Sequence, residues 1–369
     1  MKLKQLPEDF VVREVMKLDL KPKGDHGYFV MKKRNWATEK AIRELAKSLK
    51  LNPKSFAVSG MKDKNAVTEQ YVSCYGLKKE ALANVKIKDI KLYFKGYSNK
   101  PIGLNSHEEN VFDITVRDLS SGLNKIEYFC NYYDDQRFGG IRPVTAVVGR
   151  LLVERKFEEA MKVYLTRPFD EETDEHKAFR KEMEFNWGKF NPKKVPGYLT
   201  ERLVVDHLSK RPDDFLGAFA RLPKQIVTLF IHSYQSKLFN QILDKYVREF
   251  CEEWFEVEYC YGKLAMTNEP LGIDLPLVGY DFEFADDKVK GIVKEVLKKV
   301  KVESFQFKEL PFLSSRTVMR PASVQLKTLK MSETEDDELN DGKVKQLISF
   351  SLPSGSFATM AVKAMQNRD

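Results

Sequence analysis

The chain has 369 residues, 42% of them hydrophobic and 31% charged, with a formal net charge of +8 and a pI near 9.0. That length exceeds one small core and predicts two domains of ordinary globular composition. No run approaches the roughly 18–20 apolar residues that a membrane span needs, and MKLKQLPEDF lacks the apolar core of a signal peptide, so the expectation is a cytoplasmic protein with no membrane partner.

Four cysteines (Cys74, Cys130, Cys251, Cys260) without C-x-x-C spacing and five scattered histidines predict reduced, mostly buried thiols and no metal site. The positive charge is compatible with an anionic partner, nucleic acid being the commonest, and equally with a basic protein that binds none. KPKGDHGYFVMKKR (Lys21 to Arg34) interleaves lysines with aromatics, which suits phosphate and base contacts or a plain amphipathic strand.

In chain order, DFVVREV (Asp9 to Val15) and GYFVMKK (Gly27 to Lys33) read as strands. TEKAIRELAKSLKLNP follows as a helix, with Thr38 as N-cap, Glu39 in the first turn, an Ile42–Leu45–Ala46–Leu49 stripe and Pro53 closing it. SFAVSG and EQYVSCYG are strands flanking the loop GMKDKNAVT, which presents Asp63 between Lys62 and Lys64. In NVFDITVRDL, Phe112, Ile114 and Val116 share one face while Asp113, Thr115 and Arg117 share the other.

A helix is expected over IEYFCNYYDDQRFGG, and from Val144 onward long helical patterns predict a mostly helical second domain. SETEDDELNDG (Ser332 to Gly342) reads as a solvated acidic loop. KQLISFSLPSGSFATMAV then gives a strand, a turn with Ser356 as N-cap, and a final helix. Strand character at both ends suggests one domain built from the two termini with the helical part inserted.

Asp63 has two readings from its surroundings. It is either a turn residue bonding nearby amides or an ionised nucleophile or base favoured by the flanking lysines, with Thr68 and Gln70 orienting it. NYYDDQRFGG is an RNA-facing edge through Gln136 and Arg137, or a glycine-capped helix end. LPSGSFAT lacks the core of a P-loop and reads as a strand-to-helix turn.

Together these segments resemble the TruD family of tRNA pseudouridine synthases in its archaeal and eukaryal style. The resemblance rests on KQLPEDFVVRE (Lys4 to Glu14), GMKDKNAVTEQ (Gly60 to Gln70), Asn110-Val111-Phe112, NYYDDQRFG, KLFNQIL (Lys237 to Leu243) and LPSGSFAT (Leu352 to Thr359). Glu109 and Asp134 stand where the family carries glycine, which puts local RNA contacts in question.

The resemblance implies an α+β fold. Its catalytic domain, residues 1–143 and 316–369, has a mixed, largely antiparallel sheet flanked by helices, and an inserted, mostly helical TRUD domain spans 144–315 and forms the second wall of an RNA cleft. It implies an isomerase that flips a tRNA uridine, position 13 in the family, out of the RNA and converts it to pseudouridine with no cofactor. Asp63 would be catalytic, at C1′ or the 2′ proton. Lys4 would pair with it, Phe112 would stack on the uracil, and Asn110, Gln136 and Arg137 would position substrate. Lys62 and Lys64 would lend electrostatic support, and a monomer suffices. The alternatives are a non-catalytic RNA-binding protein on the same scaffold and an aspartate-nucleophile hydrolase of small substrates.

Overall fold

The computed structural model describes residues 1–104, 106–139, 144–169, 172–197, 199–282, 287–300 and 305–366. Gly140 of the predicted helix and Pro143 at the expected domain boundary lie outside them. The chain divides into two compact units, Met1–Phe129 with Val324–Asp369, and Cys130–Ser323.

The first unit is built on an eight-stranded sheet. Its leading segment carries β1 (Phe10–Val15), β2 (His26–Arg34), α1 (Thr38–Leu49), β3 (Phe56–Val58), β4 (Val67–Tyr75), α2 (Lys79–Ala83), β5 (Ile90–Ser98) and β6 (Glu109–Leu119). β7 (Tyr128–Cys130) follows. The second unit contributes α3 (Thr145–Val153), α4 (Phe157–Thr166), α5 (Asp174–Phe185), α6 (Glu201–Lys210), α7 (Phe215–Phe219), α8 (Lys224–Phe250), β8 (Phe255–Tyr259), β9 (Gly262–Met266), β10 (Asp274–Leu277), α9 (Asp287–Val300) and β11 (Val318–Pro321). The chain then returns through β12 (Ser323–Gln325), β13 (Lys327–Asp336), β14 (Val344–Pro353) and α10 (Ala358–Met365).

The sheet runs β13-β14-β6-β1-β4-β2-β5, with β3 also on β4. Only the β1–β4 pairing is parallel among these, so the fold is the mixed, largely antiparallel α+β arrangement expected. Alternation sends Phe29 and Met31 of β2 and Val72 and Cys74 of β4 inward against Ala41 and Leu45 of α1. Ile348, Phe350 and Leu352 of β14 are likewise fully buried.

Unit 2 is mostly helical, with two small antiparallel pairs, β8–β9 and β10–β11. The 27-residue α8 buries residues along its whole length, and α3 lies close against it. A Cβ on Gly149 of α3 would sit 2.0 Å from the Phe230 carbonyl oxygen, so only glycine permits this approach.

Several expectations change. Tyr128 to Phe138 forms a short strand and a 3-10 turn (Asp135–Phe138) instead of a helix. Tertiary partners take its backbone groups: Asn240 of α8 accepts from the Tyr133 amide at 2.9 Å and donates to the Tyr133 carbonyl at 2.8 Å. Ser332 to Asp336 lies in β13, and Asp337 beyond it is buried, because the acidic stretch pairs with β14 and Arg117.

The N-caps are Ala37 and Phe357 in place of Thr38 and Ser356. The Thr38 hydroxyl instead serves the Asp63 loop, and Ser356 spends its amide on the Pro353 carbonyl. α1 ends before Pro53 because Lys50 turns left-handed (φ 56°, ψ 37°) and returns its amide to Ala46 and Lys47. All four thiols are free, but only Cys74 and Cys130 are buried, and Cys260 is exposed.

Candidate active site

The loop bearing Asp63 arises from a switch of partners along one edge of β4. Val67, Thr68 and Glu69 pair with β1, whereas Val72, Ser73 and Cys74 pair with β3. Between them the Tyr71 amide faces no strand and donates to Glu14 Oε2 at 2.9 Å. The chain leaving β3 must therefore cross this break before it enters β4, and residues 59–66 make the crossing.

Each part of that loop is tied down. Gln70 donates to the Gly60 carbonyl at 3.3 Å, and the Lys62 amide donates to Thr38 Oγ1 at 3.1 Å. Thr38 Oγ1 in turn lies 3.0 Å from Gln70 Oε1. The Lys62 ammonium pairs with the buried Glu14 carboxylate at 2.9 Å and donates to Asn110 Oδ1 at 2.7 Å. From β2, the buried Lys33 ammonium donates to the carbonyls of Trp36 at 2.7 Å and Asp63 at 2.9 Å. The loop is thus clamped by α1, β1, β2, β4 and β6 within one unit.

The Asp63 carboxylate stands at the open end of this clamp. Its Oδ2 accepts from Lys4 Nζ at 2.7 Å, and its side chain is 31% exposed against 15% for Lys4. Lys4 is itself constrained: its backbone is left-handed (φ 61°), and its ammonium lies 4.1 Å from the centre of the Phe10 ring. Phe10 meets Phe112 edge-on at 6.0 Å, and Phe112 leans on Phe350 at 5.6 Å. Phe112 is therefore one ring removed from the Lys4–Asp63 pair and only 6% exposed.

A buried polar chain extends from Lys62. Because Asn110 Oδ1 accepts from the Lys62 ammonium, its amide nitrogen faces His107 Nε2 at 3.2 Å and must donate to it. A neutral imidazole accepting at Nε2 carries its proton on Nδ1, 2.6 Å from Ser59 Oγ. Burial holds the His107 ring below its ordinary pKa, Lys62 acts in the same direction and Glu14 opposes. Burial likewise pushes the Lys33 ammonium down to about 8, with Asp63 opposing and Lys62 reinforcing.

Lys4, Asp63, Asn110 and Phe112 are thus brought into one region of the first unit. Gln136 and Arg137 belong to the second. Gln136 is exposed there. Arg137 is half-buried, donates to Ser236 Oγ at 2.9 Å and lies 5.4 Å from the Tyr133 ring centre. Of the two lysines flanking Asp63, Lys62 is committed to Glu14 and Asn110, and Lys64 is exposed.

The two departures from glycine are absorbed locally. Glu109 pairs with Lys327 and Ser351, while Asp134 is buried in the second unit. Lys33 and Glu14 escaped the sequence reading, although a signal existed. Both fall at the inward position of an apolar alternation, after Phe29 and Met31 and after Phe10 and Val12. Lys33 is accordingly an interior residue and no RNA-facing lysine.

A partly exposed carboxylate aimed by a cation on a clamped loop can attack an electrophilic carbon or remove a proton. Among the described residues no cluster of three or more His, Cys, Asp or Glu could hold a metal ion, and no helix is long and apolar enough to cross a membrane.

Comparison with known proteins meets this geometry from outside. The family model described as tRNA pseudouridine synthase D (TruD) matches residues 1–258 and 262–365. A protein of Methanosarcina acetivorans named probable tRNA pseudouridine synthase D is 32% identical over 100% of this chain and 93% of its own length. One from Methanopyrus kandleri with the same name is 33% identical over 93% of this chain and 86% of its own. The tRNA pseudouridine synthase D of Aquifex aeolicus is 29% identical over 99% and 97%. A crystal structure from Methanosarcina mazei named for tRNA pseudouridine synthase D superposes with a TM-score of 0.74 at 29% identity, covering 100% of this chain and 94% of that one.

Proposed function

We infer the division of labour in this site from one premise: the chain belongs to the TruD family of tRNA pseudouridine synthases, isomerases that convert uridine in tRNA to pseudouridine. In that reaction the N1–C1′ bond breaks, a C5–C1′ bond forms, N1 gains a proton and C5 loses one. No electrons leave the nucleoside, so the chemistry asks for a carboxylate at the ribose and a pocket in which the freed uracil turns.

Asp63 is the catalytic carboxylate in this reading, acting either on C1′ or on the 2′ proton. The observation that carries it is the single open carboxylate of the clamped loop, aimed by Lys4 at 2.7 Å. Lys4 keeps that oxygen oriented while the nucleotide enters. Phe112 forms the aromatic floor on which the uracil rests, and Asn110, held by Lys62, bonds the base or ribose. Gln136 and Arg137 contact the RNA from the second unit. The substrate is a uridine flipped from the fold of the tRNA, position 13, and eversion costs a few kcal/mol that contacts to the RNA backbone offset. A domain assembled from both chain ends carries the chemistry, and the helical insertion contributes RNA contacts.

The test uses tRNA tritiated at uridine C5. The parent protein releases tritium; Asp63→Asn releases none and binds the same tRNA with unchanged affinity. Equal release from both would falsify the aspartate mechanism, and loss of binding in the variant would reassign Asp63 to RNA recognition.

A further inference from the structure

We propose that Lys33 is the positioning residue of Asp63, its buried ammonium holding the loop from the protein side through backbone carbonyls. The proposal rests on Asp63 being the catalytic group.

Lys33 is fully buried. An ammonium has three protons, and they meet three carbonyl oxygens: Trp36 at 2.7 Å, Asp63 at 2.9 Å and, at the long limit, Lys62 at 3.4 Å. Two of these belong to consecutive residues of the loop and the third to the entry of α1. One side chain therefore fixes both the height and the tilt of the peptide that carries the Asp63 side chain. Lys4 holds the same residue from the opposite, solvent side through its carboxylate. The aspartate is gripped at both ends, by one cation on its backbone and another on its carboxylate.

The interior gives Lys33 no other employment. Its neighbours on β4 and β5 are Thr68 and Ile90, neither of them ionisable. The charged groups that bear on it are Asp63 and Lys62 of the loop, and Lys62 is already matched by Glu14. Burying an ammonium whose hydrogen-bond partners are all carbonyls costs free energy that an apolar residue at this position would not. What it secures is the geometry of the loop, with Asp63 as the anion that partly compensates it. Lys33 is fully buried, so it acts through the loop that carries Asp63.

Lys33→Met keeps the stem and removes the head. The expected result is a single-turnover rate of tritium release lowered about 100-fold, as for a misplaced catalytic group, with tRNA affinity unchanged within about twofold. A merely structural lysine would lower the fraction folded but not the rate per folded molecule, which thermal denaturation measured alongside separates. Should Lys33→Met fail to fold, the unaltered protein supplies the test. Its single-turnover rate falls as the pH rises through about 8, where the amine loses its charge. A rate per folded Lys33→Met molecule equal to the parent's, or a parent rate flat from about pH 7 to pH 9, overturns the proposal. Asp63→Asn is measured in parallel: if it is inactive while Lys33→Met is fully active, only the role of Lys33 fails, whereas an active Asp63→Asn removes the reading on which that role rests.

Discussion

Two ionic clusters in the first unit use the same chemistry with opposite stoichiometry. At one end of β6, Arg117 donates to Asp9 at 2.9 Å, Asp337 at 2.9 Å and Glu338 at 3.1 Å. Its side chain is 6% exposed, and those of Asp9 and Asp337 are 3% and 0%. Around the Asp63 loop the balance is inverted. One carboxylate faces the contact cation Lys4 and the buried Lys33, and it remains 31% exposed. The first cluster surrounds a buried cation with two buried anions and the half-exposed Glu338, and it ties the Pro7–Asp9 turn, β6 and the end of β13 together. The second is open on the side of its anion. A carboxylate that stays partly exposed on a rigid base can meet a ligand, whereas the buried carboxylates beside Arg117 can only hold structure.

Changes at each cluster separate these roles. Asp63→Asn gives the largest expected effect, a loss of turnover of at least about 10³-fold in the tritium assay with little change in melting temperature. Arg117→Met should do the reverse. It strands two buried carboxylates and costs about 3–5 kcal/mol of stability in urea denaturation, while the rate per folded molecule stays near the parent's. Glu14→Gln falls between: Lys62 loses its buried counter-charge, stability drops by about 3 kcal/mol, and turnover slows ~10-fold with tRNA affinity preserved.

The Arg117 cluster also has a pH signature. Burial alone pushes the Asp337 carboxyl up, but the Asp118 and Leu339 amides, Asn340 and Arg117 outweigh it and hold it well below its ordinary 3.8. A depressed folded pKa contributes stability that is present above the ordinary value and lost as the pH falls below it. The stability gap between the parent and Arg117→Met should therefore narrow on acidification below about pH 4, read by denaturation across that range. Smallest of all, Lys32→Ala breaks the Lys32–Glu69 pair, which is partly exposed. It should change stability by less than about 1 kcal/mol and leave turnover alone; a larger loss would mean that this pair also braces the loop through β4.

Much of the sheet was legible because period-2 alternation is local. Phe112, Ile114 and Val116 turn inward as their spacing requires. The same rule applied to charged residues marks Glu14 and Lys33 as interior, since each completes an inward apolar series. The rule gives no account of Arg117, which stands at the outward position and is buried all the same because Asp9 and Asp337 close over it. The expected helix over residues 126–140 illustrates the opposite failure: its apolar spacing is real, but Asn240, 107 positions away along the chain, supplies the hydrogen bonds that a helix would have supplied to itself.

What the sequence alone determined was composition, strand faces, the helical middle and the motif that singles out Asp63, all of which depend on neighbours within a few residues. Only the tertiary structure decided which cations hold that residue. Lys62 and Lys64 adjoin it in the chain, yet Lys62 turns to Glu14 and Lys64 to solvent. Lys4, 59 positions distant, holds the carboxylate, and Lys33, 30 positions distant, holds the backbone carbonyl of the same residue. Adjacent residues in an extended loop point apart, and the break on the edge of β4, where β1 and β3 meet, sets the distances over which charges act.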